Sequence, residues 1–204
     1  MTTLTKKNYR KIIVCGEGGI GKTTLLTAFQ KGHFREVSMT LGLQPHIIHL
    51  NQGVKSLALQ IWDLGGQKHF FDMGVYKKYC LGAHGAIICF DLSELDTLKK
   101  IPQWLDLLPV NIPKILVGTK KDVGGDMKAL VERNIQKMNL DNVFVCYLET
   151  SAKYDPISIY EVFKELLMQI CSINDEESSQ IIQNYLETFP SGNNQYKRLG
   201  EIIC

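Results

Sequence analysis

The 204-residue chain is predicted to be an α/β protein in which helices cover both faces of a mostly parallel β-sheet. Short apolar, β-branched segments alternate along the chain with segments whose apolar residues recur every three or four positions. A glycine-rich turn, residues 16–23, connects the first strand-like segment to the first helix-like one. The composition, 45% hydrophobic and 22% charged, is that of a globular domain that can bury a full core.

The first half of the chain is predicted to contain three strands and one helix. Leu25, Leu26 and Phe29 lie on one face of that helix, and Gly32 is placed to end it. Residues 51–53 (Asn-Gln-Gly) separate the second strand from the third and are typical of a hairpin turn. The predicted strands are residues 9–15, 45–50 and 55–62, and the predicted helix is residues 23–31.

The second half alternates strands with helices, which predicts parallel strands joined by helical crossovers. Pro156 stands at the first position of a helix, where proline is favoured. The predicted strands are residues 86–90, 114–118 and 143–147, and the predicted helices are about 93–108, 127–139 and 156–171. Ligands bind such sheets at the carboxyl ends of the strands. One site is therefore expected where four loops converge, those that follow Cys15, Trp62, Gly118 and Thr150.

Charge and hydropathy exclude several classes of function. The chain has 23 Lys and Arg against 21 Asp and Glu, a net charge of +2. It therefore lacks the strongly basic field that would predict nucleic-acid binding. No apolar run approaches the roughly 18 residues of a membrane-spanning helix. The first residues lack the apolar core of a signal peptide, and Thr2 stands where myristoylation requires glycine. A monomeric cytoplasmic protein is expected.

The six cysteines form no CxxC pair and no cluster with the spacing of zinc ligands. Cys15, Cys89 and Cys146 lie in apolar, strand-like segments, and the others are Cys80, Cys171 and Cys204. Buried free thiols in a reducing cytosol are expected, with disulfides or metal ligation as the alternatives.

Residues 16–23 read GEGGIGKT and match the phosphate-binding pattern GxxxxGK[ST] in full. Glycines let successive backbone N–H groups turn toward one anion, and the start of the following helix adds its positive dipole end. Lys22 can supply a cation for the β- and γ-phosphates, and Thr23 can offer a hydroxyl to Mg²⁺. The motif indicates a nucleoside phosphate but neither the base nor the reaction, because kinases, ATPases and GTPases share it.

Two further segments indicate guanine. TKKD, residues 119–122, follows a predicted strand, and ETSAK, residues 149–153, lies about 30 residues farther along. A carboxylate at Asp122 can accept hydrogen bonds from N1–H and the 2-amino group of guanine, a donor pair that adenine lacks. The aliphatic part of Lys120 can lie along the base. Both segments resemble the guanine-binding elements of small GTPases, in which backbone amides of the second segment meet guanine O6.

Three more elements carry the same resemblance. Residues 62–67, WDLGGQ, resemble the DxxGQ element in the form found in Arf proteins. Residues 40–42, TLG, resemble the first switch element. KYCLGAHGA, residues 78–86, is similar to a Rab element. By these motifs, residues 8–172 are identified as a member of the Ras superfamily of small GTPases with mixed Rab and Arf features.

The resemblance implies roles for individual residues. Asp63 would hold Mg²⁺ through a water, the Gly66 amide would meet the γ-phosphate, and Gln67 would orient the attacking water. Thr40 would close on Mg²⁺ and the γ-phosphate only in the triphosphate state. The expected catalytic residues are Lys22, Thr40 and Gln67, and the expected metal ligands are Thr23, Thr40 and Asp63. The expected nucleotide-binding residues are Gly18, Gly19, Ile20, Gly21, Lys22, Thr23, Thr24, Phe34, Thr40, Gly66, Thr119, Lys120, Asp122, Ser151, Ala152 and Lys153.

The implied fold is a P-loop NTPase G domain with a six-stranded sheet, plus a C-terminal amphipathic helix. The implied function is a GTP/GDP switch that hydrolyses GTP with Mg²⁺, in membrane trafficking or signalling. Switch I, residues 35–42, and switch II, residues 66–79, would change order with the γ-phosphate. Expected partners are an exchange factor, a GTPase-activating protein and effector proteins.

One departure from related families concerns the rate of hydrolysis. Val37 stands three residues before Thr40, where Gα proteins carry an arginine in cis. Intrinsic hydrolysis is therefore expected to be slow, on the order of 10⁻⁴ s⁻¹. Two alternatives stay open, a non-hydrolysing guanine-nucleotide-binding scaffold and a P-loop kinase that acts on a small acceptor.

Residues 173–204 are expected to form a helical tail that begins at Asn174 and ends before Pro190. One face of this helix is apolar, formed by Ile181, Ile182, Tyr185, Leu186 and Phe189. Five acidic and two basic side chains oppose attraction to an anionic membrane, and Cys204 lies in no prenylation motif. The face is expected to dock on its own domain, with a protein partner or a peripheral membrane contact as the alternatives.

Overall fold

The computed structural model describes residues 9–53, 55–174 and 176–189, and in these residues six strands form one sheet. The strands are β1 (Tyr9–Cys15), β2 (Leu43–Gln52), β3 (Lys55–Leu64), β4 (Gly85–Asp91), β5 (Lys114–Thr119) and β6 (Cys146–Glu149). They lie in the order β2-β3-β1-β4-β5-β6, and every neighbouring pair is parallel except the hairpin of β2 and β3. The predicted mostly parallel, six-stranded sheet is confirmed.

Helices flank the sheet on both faces. The helices are α1 (Lys22–Lys31), α2 (Lys68–Asp72), α3 (Val75–Cys80), α4 (Ile101–Leu105), α5 (Lys121–Gly124), α6 (Lys128–Lys137), α7 (Pro156–Asn174) and α8 (Glu176–Glu187). Gly32 ends α1 in the left-handed region, with φ of 73°, and its N–H donates to the Ala28 carbonyl, as predicted for a helix stop. The short helices α2, α3 and α5 were not predicted, because four to six residues carry too little periodicity.

The helix predicted over residues 93–108 is wrong in its extent. A 3₁₀ turn spans Leu95–Lys100, and only the five residues of α4 follow it as α-helix. The Thr97 hydroxyl accepts a hydrogen bond from the Asp91 N–H at 2.9 Å, which ties the turn back to the end of β4. Pro102 then lacks the N–H that a continuous helix would donate to Leu98.

The last strand also differs from its prediction. Residues 143–147 were expected to pair, but β6 runs from Cys146 to Glu149 and aligns with Ile115–Gly118 of β5. Val143 belongs instead to the turn that follows α6, in which its N–H donates to the Leu140 carbonyl at 3.1 Å. The local apolar pattern therefore predicted a strand that begins three residues, and ends two residues, too early.

Alternation along the strands divides the core into two layers. Ile12 and Val14 of β1 face the layer formed with α1, α7 and α8, whereas Ile13 and Cys15 face the layer formed with α3, α4 and α6. In the first layer the rings of Phe29 and Phe163 stack with centroids 3.7 Å apart. The sheet is thus held between two apolar layers that fix its carboxyl-end loops in place.

The tail helix α8 docks on its own domain. Ile181 and Ile182 are buried in the first core layer, and the remaining apolar residues of its face pack against that layer. The Phe189 ring lies edge-on to Phe29 at 5.7 Å and to Tyr160 at 5.3 Å. Burial of each large side chain contributes roughly 1.5–3 kcal/mol, enough to order a helix of this length. Asn174 is not the predicted helix cap, because α7 continues through it.

Several sequence predictions concern residues outside the described ranges. They include the amino-terminal Met1 and Thr2, the end of the tail helix at Pro190, and Cys204. No disulfide joins the five cysteines within the described ranges, where Cys15, Cys80 and Cys89 are buried and Cys146 and Cys171 are partly exposed. Among the helices of that part of the chain, none combines the length and apolarity needed to cross a bilayer. The domain boundary at residue 172 stays a prediction.

Candidate functional site

The glycine-rich loop connects β1 to α1 at the carboxyl end of the sheet. Gly16 has φ of 138°, and a Cβ there would lie 2.3 Å from the Cys89 carbonyl oxygen, so only glycine lets the loop pass β4. Gly21, with φ of 97°, immediately precedes α1, and no side chain of the described residues caps this helix. The loop therefore leaves the first N–H groups of α1 available to an anion.

Lys22 lies across this loop. Its ammonium group donates to the Gly16 carbonyl at 2.9 Å and to the Glu17 carbonyl at 2.6 Å, and the residue is only 5% exposed. Burial lowers the pKa of Lys22, and the nearby Asp63 carboxylate partly opposes that shift. The side chain is thus a buried cation held in place by neutral carbonyl groups, which a phosphate can replace as acceptors.

Three predicted metal ligands come together beside Lys22. The Thr23 hydroxyl lies 2.5 Å from the Thr40 hydroxyl and 2.5 Å from Asp63 Oδ2. Asp63 is fully buried, and its Oδ1 has no hydrogen-bond partner among the described residues. A buried carboxylate oxygen without a partner is costly unless a cation neutralises it. One carboxylate and two hydroxyls are hard oxygen ligands, so this set fits Mg²⁺.

A cavity of about 310 Å³ opens above these groups. Switch I closes one side through Val37 and Thr40, while Gly65 and Gly66 close another. Gly66 packs directly on the glycine-rich loop, since a Cβ there would lie 2.0 Å from the Gly18 nitrogen. The remaining predicted residues that line this cavity are Gly18, Gly19, Gly21, Lys22, Thr23, Thr24 and Lys120.

A second cavity of about 230 Å³ adjoins the first and shares Gly21, Thr24 and Lys120 with it. Phe34 lines it, together with Thr119, Asp122, Ala152 and Lys153. The two cavities therefore place nearly all predicted nucleotide-binding residues around one continuous depression. Two are exceptions: the Ile20 side chain is buried in the core, and the buried Ser151 lines neither cavity.

Hydrogen bonds within the second cavity hold its polar side chains in position. Ser151 donates to Asp122 Oδ1 at 2.7 Å, and this bond orients the carboxylate predicted to read the base. Lys120, in the left-handed region with φ of 56°, pairs with the buried Asp91 at 2.6 Å. The Thr119 hydroxyl lies 2.5 Å from the Ile20 carbonyl oxygen, so Thr119 ties the phosphate loop to β5 instead of pointing at a ligand.

Gln67 is the predicted site residue that the structure places elsewhere. Its Nε2 donates to the Thr40 carbonyl at 2.7 Å, and its Oε1 accepts from the Gly42 N–H at 3.1 Å. It is not among the residues that line the phosphate cavity. The side chain predicted to orient water is instead bound to the backbone of switch I.

Two contributors were missed at the sequence level. The Tyr76 hydroxyl shares its single proton between the carbonyl groups of Gly42 in switch I, at 3.2 Å, and Gly65, just before switch II. Gln103 Nε2 donates to Glu17 Oε1 at 2.7 Å and so braces the phosphate loop from α4. No local signal points to either, because both act through contacts 34 and 86 residues away in the chain.

Comparisons with known proteins agree with this geometry. A model of the Ras family matches residues 11–172. The chain is 31% identical to Ras-related protein RABD2b of Arabidopsis thaliana over 78% of this chain and 79% of that protein. It is 32% identical to GTP-binding protein ypt1 of Schizosaccharomyces pombe, with the same coverage. It is 34% identical to Ras-related protein Rab-1A of Dictyostelium discoideum over 70% of this chain and 71% of that protein.

The family model spans every strand after the start of β1, as well as the glycine-rich loop, both switches and the two guanine-type segments. The relatives come from a plant, a yeast and a slime mould, and all three matches cover at least 70% of this chain. The chain therefore belongs to the Ras superfamily of small GTPases and is Rab-like.

Proposed function

We propose that the chain is a molecular switch that binds GTP and GDP in the joined cavities and hydrolyses GTP with the help of Mg²⁺. The observation that carries the proposal is the convergence of Thr23, Thr40 and the half-satisfied Asp63 carboxylate beside the buried Lys22. These groups are those needed to hold a metal-bound triphosphate. The relatives are Ras-related and GTP-binding proteins by name, which supports the same nucleotide.

The base would be read by Asp122. Its carboxylate, oriented by Ser151, can accept from N1–H and the 2-amino group of guanine together. Adenine would leave this charged acceptor unpaired in the cavity, which is a costly mismatch. Phe34 and the aliphatic part of Lys120 supply apolar surface for the two faces of the base.

The phosphates would be held by the glycine-rich loop and Lys22. We expect the Lys22 ammonium to exchange its two carbonyl acceptors for β- and γ-phosphate oxygens. Bound Mg²⁺ would supply positive charge that stabilises the transferring phosphoryl group. Thr23, Thr40 and Asp63 would hold the metal ion, and Thr40 is the ligand that arrives with switch I.

Thr40 and Gly66 make the site sensitive to the γ-phosphate. Both lie on segments without regular secondary structure that border the phosphate cavity. Contacts with the γ-phosphate would order switch I and switch II, and hydrolysis would release them. Effectors would read the ordered state, an exchange factor would reset it, and an activating protein would supply the positive charge that Val37 cannot.

A role in membrane trafficking, as a cytoplasmic monomer that contacts membranes peripherally, is proposed from the Rab-like relatives. We also propose that residues 8–172 form the GTPase domain and residues 173–204 an appended tail. Docking of α8 on the first core layer accounts for the apolar face of the tail without a membrane.

A non-hydrolysing guanine-nucleotide-binding scaffold is the second candidate. One observation favours it, since both polar atoms of the Gln67 amide are occupied by switch I. A scaffold and a slow GTPase differ in the fate of bound GTP and not in its affinity.

A single-turnover measurement separates the two. The full chain is loaded with GTP, freed of excess nucleotide and sampled for bound GDP and released phosphate, with and without EDTA. We expect one phosphate per protein at a rate on the order of 10⁻⁴ s⁻¹, and a loss of that rate when Mg²⁺ is removed. Recovery of intact GTP after a day, with or without Mg²⁺, would favour the scaffold.

A further inference from the structure

Four hydrogen bonds around the backbone of Gly42 join switch I to Gly65 and switch II. The Gly42 N–H donates to Gln67 Oε1, while the Gly42 carbonyl oxygen accepts from the Gly65 N–H at 2.7 Å and from the Tyr76 hydroxyl at 3.2 Å. The fourth bond runs from Gln67 Nε2 to the Thr40 carbonyl. We call this arrangement the Gln67 clasp.

The clasp engages both polar atoms of the Gln67 amide. A glutamine amide orients a water by accepting one of its protons through Oε1 while Nε2 donates to another oxygen. In the clasp Oε1 accepts from the Gly42 N–H and Nε2 donates to the Thr40 carbonyl, and these bonds hold the amide on switch I, outside the lining of the phosphate cavity. Gln67 can therefore reach a water in that cavity only after the two bonds have opened.

Tyr76 determines the spacing of the two backbone segments that form the clasp. The single proton of its hydroxyl is shared between the carbonyl groups of Gly42 in switch I and Gly65, the residue just before switch II. The side chain is 1% exposed, and its ring lies 5.8 Å from Trp104 of α4, a helix outside both switch regions, so Tyr76 anchors this part of switch II to the core. Burial raises the pKa of Tyr76 to about 12, so the hydroxyl remains a donor at neutral pH.

Close backbone packing makes the spacing sensitive to small changes. A Cβ at Gly65 would lie 2.7 Å from the Thr40 carbonyl oxygen and 2.9 Å from Gln67 Oε1. The two backbone segments of the clasp thus touch with no side chain between them, and a shift of one moves the hydrogen-bond partners of the Gln67 amide.

We propose that Tyr76 is a positioning residue that holds Gln67 on switch I, so that the clasp restrains GTP hydrolysis until it opens. This inference rests on the proposed function of the site. GTP hydrolysis would then be slow for two reasons, the internal restraint on Gln67 and the lack of an arginine in cis. An activating protein would then have two tasks, to supply positive charge and to release Gln67.

Tyr76→Phe tests the proposal, because it removes one hydroxyl and keeps the ring packed. In single-turnover hydrolysis of preloaded GTP by the full chain, we expect this variant to be roughly threefold to tenfold faster than the wild type, the usual effect of losing one buried hydrogen bond. Because only protein that retains nucleotide is observed, a change in folding stability does not enter the rate.

Two companions make the test specific. Tyr9→Phe is the matched control: this ring lies edge-on to His84 at 5.8 Å at the amino end of β1, its hydroxyl makes no hydrogen bond with the described residues, and its rate should equal the wild-type rate. In the Gln67→Leu background, Tyr76→Phe should have no effect, because the hydroxyl acts through Gln67. A slowly exchanging side-chain amide signal of Gln67, identified by its loss in Gln67→Leu, should become fast-exchanging in Tyr76→Phe.

The outcomes are distinct. An unchanged or slower rate in Tyr76→Phe overturns the inference while the proposed function stands, since the wild type still hydrolyses GTP. A faster rate that persists in the Gln67→Leu background also overturns it, because the hydroxyl would then act by another route. If neither the wild type nor Tyr76→Phe releases phosphate, the proposed function fails and the restraint fails with it.

Discussion

The two halves of the nucleotide depression differ in how their polar groups are satisfied. Around the base cavity, bonds run between side chains that stay on rigid elements: Ser151 holds Asp122, and Glu149 pairs with Lys121 at 3.1 Å while accepting from Tyr147 at 2.9 Å. Around the phosphate cavity, Lys22 binds carbonyl groups and Asp63 Oδ1 has no partner among the described residues. The base half is complete without a ligand, whereas the phosphate half has groups that only a charged ligand satisfies.

This difference indicates a division of labour. A preorganised base cavity contributes affinity that is the same for GDP and GTP, because both carry the same base. A phosphate cavity bordered by irregular switch segments can distinguish the two through the γ-phosphate. Substitutions in the first half should therefore change binding of both nucleotides equally, and substitutions in the second should change their ratio.

The largest effect is expected from Asp122→Asn in the base half. The amide cannot accept from both guanine donors, so GDP and GTP should each lose roughly 100-fold in affinity, while xanthine nucleotides should gain because the amide can donate to the C2 carbonyl. Competition binding measures this. Asp126→Asn, an exposed carboxylate whose side chain caps Lys128 N–H at 3.2 Å, is the control that should leave guanine preference unchanged. Retained GTP preference in Asp122→Asn would mean that the base is read elsewhere.

Thr40→Ala should show the opposite signature. Removal of a hydroxyl that serves the metal and the γ-phosphate should weaken the GTP state about tenfold and leave GDP affinity within about twofold. Equilibrium titration with GDP and a non-hydrolysable GTP analogue in Mg²⁺ measures the ratio. Ser38→Ala, on the same wall of the cavity, should change neither affinity. An equal loss for both nucleotides would show that Thr40 supports the site without sensing its state.

A smaller effect is expected from Lys121→Ala. The Lys121–Glu149 ion pair has one half-exposed and one buried side chain, so its loss should accelerate dissociation of GDP and GTP alike by about twofold to fivefold. Lys99→Ala removes the fully exposed pair with Asp96 at 2.6 Å and should leave dissociation unchanged. Fluorescent-nucleotide release rates provide the measurement. A change confined to GTP would contradict the division between the two halves.

The smallest effect is expected from pH, which should not change how Tyr76→Phe affects GTP hydrolysis. Burial raises the pKa of Tyr76 to about 12. The contribution of its protonated hydroxyl to folding stability is therefore fully present below the unfolded pKa of 10 and is lost only as pH rises through 12. The ratio of hydrolysis rates between Tyr76→Phe and the wild type should therefore be constant from pH 6.5 to about 9. A ratio that changes in this window would assign the restraint to another titrating group.

The sequence determined those features that depend on consecutive residues. Gly16 and Gly21 adopt φ of 138° and 97°. Together with Lys22 and Thr23, which follow, they identified residues 16–23 as a loop between a strand and a helix. Alternating apolar residues determined the sheet, and the carboxyl ends of its strands brought Thr23 and Asp122 to adjoining cavities, with Asp63 buried beside Thr23. Local rules succeeded here because each requirement is met within a few residues of the chain.

Tertiary structure decided the features that depend on distant partners. The Gln67 amide could have faced the phosphates or the backbone of switch I, and only the position of residues 40–42, brought in by the β2–β3 hairpin, decided between them. Tyr76 became part of the site because packing on Trp104 aims its hydroxyl at two carbonyl groups. Pairing with β5 likewise set the bounds of β6 at Cys146–Glu149, because the ends of a strand depend on the strand with which it pairs. Hydrogen bonds between distant residues form only after the chain has folded, so no window of sequence contains them.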